Sequence, residues 1–318
     1  MEKRAETVAF GAVSEHAPKL SVLIASYQSG EKLYQALESV LVQSYDGFEL
    51  IVCDDGSEDF DRERVGELTK GRRSKLLCHR ENLGTVHNLN DGLLLCEGEW
   101  VLILAADDAL AGDDVLAKIA QQAAKTEKEW MIGPALLCGR DLRPTGSTVP
   151  ARAQTELLRQ GDIEKIWGCL CRECFIPSGG AVYRRDLLLR LGGFDSHYRL
   201  VEDWPLFLRL IREGRLPEVL DNPVILHRSE GVSRKLAGHN RSYQRDLIET
   251  MQREILPYLN SLPVREGEEL RTLCQDKGEI YRLRFEASGP IAKARWFLTH
   301  PGTILRTIRR KGTAQKIW

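Results

Sequence analysis

No apolar run in this 318-residue chain approaches the ~20 residues that cross a bilayer, so no transmembrane helix is expected. Residues 1–19 hold Lys3, Arg4 and several acids without an apolar core, which argues against a secretory signal. Neither sign of charge is in excess: 45 Lys and Arg stand against 46 Asp and Glu, and a net charge of -1 argues against a general nucleic-acid binder. Without an export signal, the eight cysteines are expected as reduced thiols of a cytoplasmic protein. Cys53, Cys78, Cys96 and Cys138 lie in apolar runs and read as small core residues. The Cys169-Leu-Cys-Arg-Glu-Cys174 cluster lacks the paired C-x2-C of a zinc ribbon and has no nearby His, so a structural metal is not expected there.

What is present is an ordinary globular composition, 42% hydrophobic and 29% charged, organised around Glu99-Trp-Val-Leu-Ile-Leu-Ala-Ala-Asp-Asp-Ala-Leu110. A short apolar run of this kind reads as a strand buried on both faces of a parallel sheet. Asp107 and Asp108 then fall at its carboxyl end, where open α/β sheets bind ligands. Their hard oxygens suit Mg2+ or Mn2+ shared with substrate phosphates. An Asp pair could equally cap the next helix.

Before this strand the chain alternates. An irregular leader over 1–18 precedes a strand at Lys19–Tyr27, a helix over Glu31–Gln43, a strand at Phe48–Cys53, a short strand at Leu76–His79 and a helix ending near Cys96. That rhythm predicts an α/β fold with a mostly parallel, Rossmann-like sheet flanked by helices. Two competitors drop out: there is no G-x-G-x-x-G in the first βα turn and no G-x-x-x-x-G-K-[ST] anywhere. Diphosphate charge would therefore need a partner other than a glycine-rich loop. A metal on the acidic pair supplies one.

Taken together, Ser21-Val-Leu-Ile-Ala-Ser-Tyr27, Ser39-Val-Leu-Val-Gln-Ser44, Asp54-Asp-Gly-Ser57, Asn82-Leu-Gly84, Asn90-Asp-Gly-Leu93, Gly98-Glu-Trp100, Asp107-Asp108, Gly192-Gly-Phe-Asp195 and Glu202-Asp-Trp204 resemble the family 2 glycosyltransferases of the GT-A fold. The resemblance covers about residues 20–230 in family order, and implies a GT-A catalytic domain over 19–233. A nucleotide-binding half would span 19–110 and an acceptor half 111–233. It assigns Ala25, Ser26 and Tyr27 to the nucleotide base, with the Tyr27 ring as a stacking face, and Asp54 and Asp55 to base or ribose. Asp107 would contact ribose or metal and Asp108 would coordinate metal, although Ala105 stands where the family motif has its first acid. His227, or Arg228 by a one-residue shift, matches a metal- or phosphate-contacting position before Ser233.

Asp203 matches the catalytic base. Its helix start, with Pro205 in the first turn and Trp204, Phe207, Leu208 and Ile211 at helical spacing, would aim the carboxylate at an acceptor hydroxyl. Ser178, Gly179 and Gly180, with Glu202 and Trp204, would line the donor and acceptor site. The implied reaction is metal-dependent transfer of a sugar from a nucleotide sugar, expected to be a UDP-sugar, with inversion. The competing reading is a non-catalytic nucleotide-sugar or membrane-binding module with a degenerate GT-A fold, raised by Ala105.

From residue 234 the resemblance stops and helical periodicity continues as a helical C-terminal region. Residues 291–311 carry no acid, and mix Trp296, Phe297, Leu298, Ile304, Leu305 and Ile308 with Lys293, Arg295, Arg306, Arg309 and Arg310. Such a basic amphipathic tail, 291–318, suits peripheral attachment to the inner face of the cytoplasmic membrane, or docking on its own protein or a twin subunit. Attachment would make a polyprenyl-diphosphate-linked glycan, as in surface polysaccharide synthesis, the expected acceptor.

Overall fold

The computed structural model describes residues 5–10, 19–228, 240–285, 296 and 298–312. Its strands, in chain order, are β1 (Ala5–Phe10), β2 (Leu20–Ser26), β3 (Phe48–Asp54), β4 (Ser74–His79), β5 (Trp100–Ala105), β6 (Ala109–Leu110), β7 (Trp130–Ile132), β8 (Ala135–Cys138), β9 (Pro144–Val149), β10 (Ala181–Arg184), β11 (Glu218–Val219) and β12 (Ile225–Arg228). The main sheet runs β1-β4-β3-β2-β5-β10-β7-β11. β4, β3, β2 and β5 are mutually parallel, with Val22 level with Leu50 on one side and Leu102 on the other. β10 runs antiparallel to β5. Where the sequence predicts an irregular leader, Ala5–Phe10 instead lines up antiparallel to β4. Its Ala5-Glu-Thr-Val-Ala-Phe10 pattern is too short and mixed to announce itself. Only pairing with an existing edge makes it a strand.

The central strands are mostly apolar because both faces of the sheet are covered. Leu50 and Val52 point into a layer closed by the helices Glu31–Leu41 and Val115–Ala123, through Leu37, Val40, Leu116 and Ile119. Ile51 and Cys53 point the other way, toward the helices Thr85–Leu95, Ile163–Arg172 and Asp203–Arg212. All seven residues of β3 are buried, the carboxylate of Glu49 included, where it accepts from Ser21 Oγ at 2.7 Å and from the Gly98 N–H at 3.1 Å.

A second sheet, β6-β12-β8-β9, is not anticipated by the sequence; two of its strands are very short or polar. The C-terminal helices Arg241–Thr250 and Val264–Phe285 share the core under the second face, Leu247, Met251, Ile255 and Leu270 joining Trp204, Phe207 and Ile211. The helix Pro301–Gly312 is held by Arg306, which grips the buried Asp276 with two nitrogens. Leu298 and Leu305 remain exposed. Residues 291–295, 297 and 313–318 of the expected tail lie outside the described residues, as does Ser233. Among the described residues no helix is long and apolar enough to cross a membrane.

Candidate active site

β2, β3 and β5 are parallel, so the loops that follow them meet along one edge of the sheet. The Asp55 N–H donates to the Ser26 carbonyl and the Ala106 N–H to the Ala25 carbonyl, both at 2.9 Å. Ala25 and Ser26 are thus stapled to both neighbouring loops, and Tyr27 stands exposed at the rim. Asp54 is buried within its own turn: one oxygen accepts the Ser57 N–H at 2.8 Å and the other the Ser57 hydroxyl at 2.7 Å. That hydroxyl also accepts the Gln28 N–H at 2.7 Å, tying the β2 and β3 loops together. Asp55, equally buried, accepts the Leu83 and Gly84 N–H groups at 2.8 Å each. Burial pushes its carboxyl above the usual range, and the two N–H groups work against that rise. The two acids that the resemblance assigns to the nucleotide are thus bound into the loops themselves.

The second sheet sets the acids of β5. β12 pairs with β6 so that Leu226 faces Ala109, which brings the next residue, His227, beside Asp108. The Asp108 carboxylate is only 2% exposed, with oxygens 2.9 and 3.1 Å from His227 Nδ1 and 3.1 Å from the Arg228 N–H. Burial raises its pKa, and the neighbouring imidazole pulls it back. A buried carboxylate on Nδ1 fixes the tautomer that puts the lone pair on Nε2, the arrangement of a carboxylate-backed metal-binding imidazole. Asp108, expected as a metal ligand, has both oxygens within hydrogen-bond reach of His227 Nδ1.

Asp107 is half-buried, and its main-chain carbonyl accepts from the Arg228 guanidinium. Arg228 is itself 3% exposed; it also donates to the Arg140 carbonyl at 3.1 Å and to Gln35. Between the two alternatives of the sequence, Arg228 is spent bracing the β5 loop and His227 is the side chain at the site. No group of three or more His, Cys, Asp or Glu converges among the described residues. Asp107, next to Asp108 in the chain, and His227, bonded to Asp108, carry oxygen and nitrogen donors of the kind a divalent cation shared with phosphate would take.

Asp203 opens the helix Asp203–Arg212, whose first turn tolerates Pro205. Trp204 anchors that turn: it is 1% exposed and its Nε1 donates to the Leu170 carbonyl at 2.8 Å. The Asp203 carboxylate accepts the Trp204 N–H at 2.6 Å and has Cys174 Sγ at 3.9 Å. Glu202 lies near the Ser178 side chain, which works against the rise in its pKa. Desolvation pushes both carboxyls above their ordinary range, and the Asp203 charge lifts Glu202 further. Gly179, next to Ser178, sits so close to Asp108 that a Cβ there would lie 3.2 Å from its Oδ2 and 2.8 Å from Ile225 Cδ1. The Ser178–Gly180 loop therefore lies near Glu202 with one residue and abuts Asp108 with the next.

The Glycosyl transferase family 2 profile matches residues 21–192, more than half of the chain. The chain is a family 2 glycosyltransferase. It is 27% identical over 195 residues to a PGL/p-HBAD biosynthesis glycosyltransferase of Mycobacterium bovis, covering 61% of this chain and 70% of that one. Its fold is that of GT-A enzymes: it superposes on S. aureus TarS 1-349 in complex with UDP-GlcNAc with a TM-score of 0.58 at 17% identity, covering 84% of this chain and 73% of that one. It spans 43% of the longer TarS chain. The mannosyltransferase PcManGT from Pyrobaculum calidifontis, in complex with GDP-Man and Mn2+, superposes with a TM-score of 0.56 at 18% identity, covering 95% of this chain and 85% of that one. Family membership makes the transferase an enzyme, in place of the non-catalytic module that Ala105 raised.

Several of the transferase's motifs prove to be structural joints. The Asn90 amide donates to the Phe194 carbonyl and accepts the Phe194 N–H, both at 2.8 Å, linking Asn90-Asp-Gly-Leu93 to Gly192-Gly-Phe-Asp195. Gly84 has φ +97°, and a Cβ there would lie 2.6 Å from the Arg199 carbonyl oxygen. Gly84→Ala is expected to cost about 1–3 kcal/mol by strain and collision, read as a lowered urea midpoint. An unchanged midpoint would show that the 82–84 loop is free to move. Tyr243 and Asp246, from beyond the family profile, also lie by the acidic pair, and sequence reasoning passes over both. Asp246 in particular reads as one more polar position on an amphipathic helix.

Proposed function

We propose that the transferase moves a sugar from a nucleoside-diphosphate sugar, in the first instance a UDP-sugar, to a glycan hydroxyl in one displacement with inversion. The reading rests on a single observation: the Ser178–Gly180 loop lies near Glu202, the neighbour of Asp203, with one residue and abuts Asp108, bonded to His227, with the next. Asp203 takes the proton from the acceptor hydroxyl as its oxygen bonds to the anomeric carbon. The anomeric C–O bond to phosphate breaks, and its electron pair leaves with the nucleoside diphosphate. One carboxylate suffices, because the acceptor itself is the nucleophile. Asp107 and His227 would hold a Mn2+ or Mg2+ ion, with Asp108 orienting the imidazole. Such an ion neutralises charge on the departing diphosphate. The TarS complex with UDP-GlcNAc supports a uridine donor, and the PcManGT complex supports Mn2+.

Tyr27 offers an exposed ring for the base, while Ser26, Asp54 and Asp55 shape the pocket beneath it. In the C-terminal region Leu298 and Leu305 are exposed and could meet a membrane, whereas Arg306 is committed to Asp276. A lipid-linked glycan on the inner membrane face remains the proposed acceptor class.

Donor binding is expected to require the cation. Calorimetric titration with UDP-sugars should give binding in Mn2+ and little in excess chelator; equal affinity in both would remove the metal from the mechanism. Proton NMR of the first-formed product should show the anomeric configuration opposite to the donor's. Retention would rule out the single displacement.

A further inference from the structure

We infer that Asp246 is a positioning residue for the acidic pair, so that the helix Arg241–Thr250, outside the family profile, completes the active site. The inference rests on the reading of Asp203 as base. Asp246 is 3% exposed, and one of its oxygens accepts three consecutive main-chain N–H groups: Arg199 at 2.8 Å, Leu200 at 2.6 Å and Val201 at 3.2 Å. Those three residues lead directly into Glu202 and Asp203. Convergence of successive amides on one carboxylate oxygen forms an anion nest, and charge-assisted bonds of this kind are stronger than neutral ones.

The same segment is held from its other side. Arg199 donates through one guanidinium nitrogen to the carbonyl of Asn82 at 2.8 Å and to its side-chain oxygen at 2.6 Å. Its own carbonyl accepts the Val86 N–H at 3.2 Å. Asp246 thus presses residues 199–201 against the loop that Asp55 fixes, and the direction of the Asp203 carboxylate follows from that clamp. His197 Nε2 lies 3.0 Å from Glu249 on this helix, and Arg253, just beyond it, lies 3.9 Å from Asp195, but part-exposed contacts of this kind contribute little. Leu247 and Met251 seat the helix in the core independently of the carboxylate. Loss of the Asp246 charge therefore need not undock the helix.

Asp246→Asn keeps the shape and removes the charge; Asp246→Glu keeps the charge and displaces the oxygen by one methylene. Both are expected to lower kcat, on the order of 10²-fold for a misplacement near 1 Å, with KM for the nucleotide sugar near wild type. Hydrogen exchange at the amides of 199–201 should accelerate in both. The groups facing the acidic pair are Cys174, Ser178, Tyr183, Tyr243 and Asp246; burial and the Asp203 charge raise Glu202 most, and Asp246 adds a further, smaller rise. The acid limb of kcat, which reports Asp203, should stay in place in both variants, because the Asp246 charge acts on Glu202. A merely structural role would not lower kcat while leaving KM for the nucleotide sugar near wild type. If one variant fails to fold, the other carries the test. Wild-type kcat in the folded variants, beside an inactive Asp203→Asn, would overturn this inference alone. A fully active Asp203→Asn would overturn the base assignment and this inference with it.

Discussion

Asp203→Asn is expected to lower kcat by about 10²- to 10⁴-fold, the usual contribution of a positioned general base, while nucleotide-sugar affinity stays near that of the wild type. The split follows from placement. Asp203 bonds the Trp204 N–H and has Cys174 Sγ beside it, with no bond to Asp107 or His227 among the described residues, so an amide there should remove the proton acceptor and leave the donor's contacts in place. The pH profile should carry the same signature. Burial raises the Asp203 carboxyl, and it must be ionised to accept a proton, so kcat should climb with pH through a limb above the ordinary carboxylate range.

Stability should move the other way. A carboxyl raised in the folded state contributes stability fully below its unfolded pKa and loses it as pH rises through the raised value. The neutral Asn escapes that loss, so the variant should melt at or above the wild-type temperature at pH 8. An inactive protein of normal Tm then reports chemistry and not unfolding. Wild-type turnover in Asp203→Asn would end its assignment as base.

Asp108→Asn should weaken Mn2+ binding by about 10- to 100-fold, the usual effect of removing a carboxylate behind a metal-binding imidazole. Asp108 is buried with both oxygens directed at His227 Nδ1 and the Arg228 N–H, so its action on a cation would pass through the ring. His227→Ala and Asp107→Asn remove donors themselves and should weaken binding at least as much. Titration of Mn2+ in the presence of UDP, followed by calorimetry or by the Mn2+ resonance signal, reads this without turnover. Unchanged Mn2+ affinity in a folded Asp108→Asn would show that its carboxylate does not orient the ligand. A loss in Asp108→Asn larger than in His227→Ala would instead return Asp108 to direct coordination.

Local rules carried the sequence reading far along the first half of the chain. Leu20–Ser26, Phe48–Asp54 and Trp100–Ala105 are predominantly apolar because both of their faces are covered, and that pattern is written in consecutive residues. The carboxylates at their ends were legible for the same reason. β6, β9 and β12 were not, since two-residue and polar strands gain their identity from neighbours and not from their own composition. With them went the pairing of His227 with Asp108, which depends on the β6–β12 register and leaves no trace in the spacing between the two residues.

The sequence by itself determined the fold class, the family and the residue types that gather at the strand ends, because strand burial and motif order are properties of neighbouring residues. Tertiary structure alone decided the division of labour among them. Asp54 and Asp55 brace loops, Asp108 bonds His227, Arg228 is consumed by main-chain carbonyls, and a helix beyond the recognised family region grips the segment before Glu202. The physical reason is that a carboxylate's role depends on which donors reach its two oxygens, and those donors arrive from elements far away along the chain.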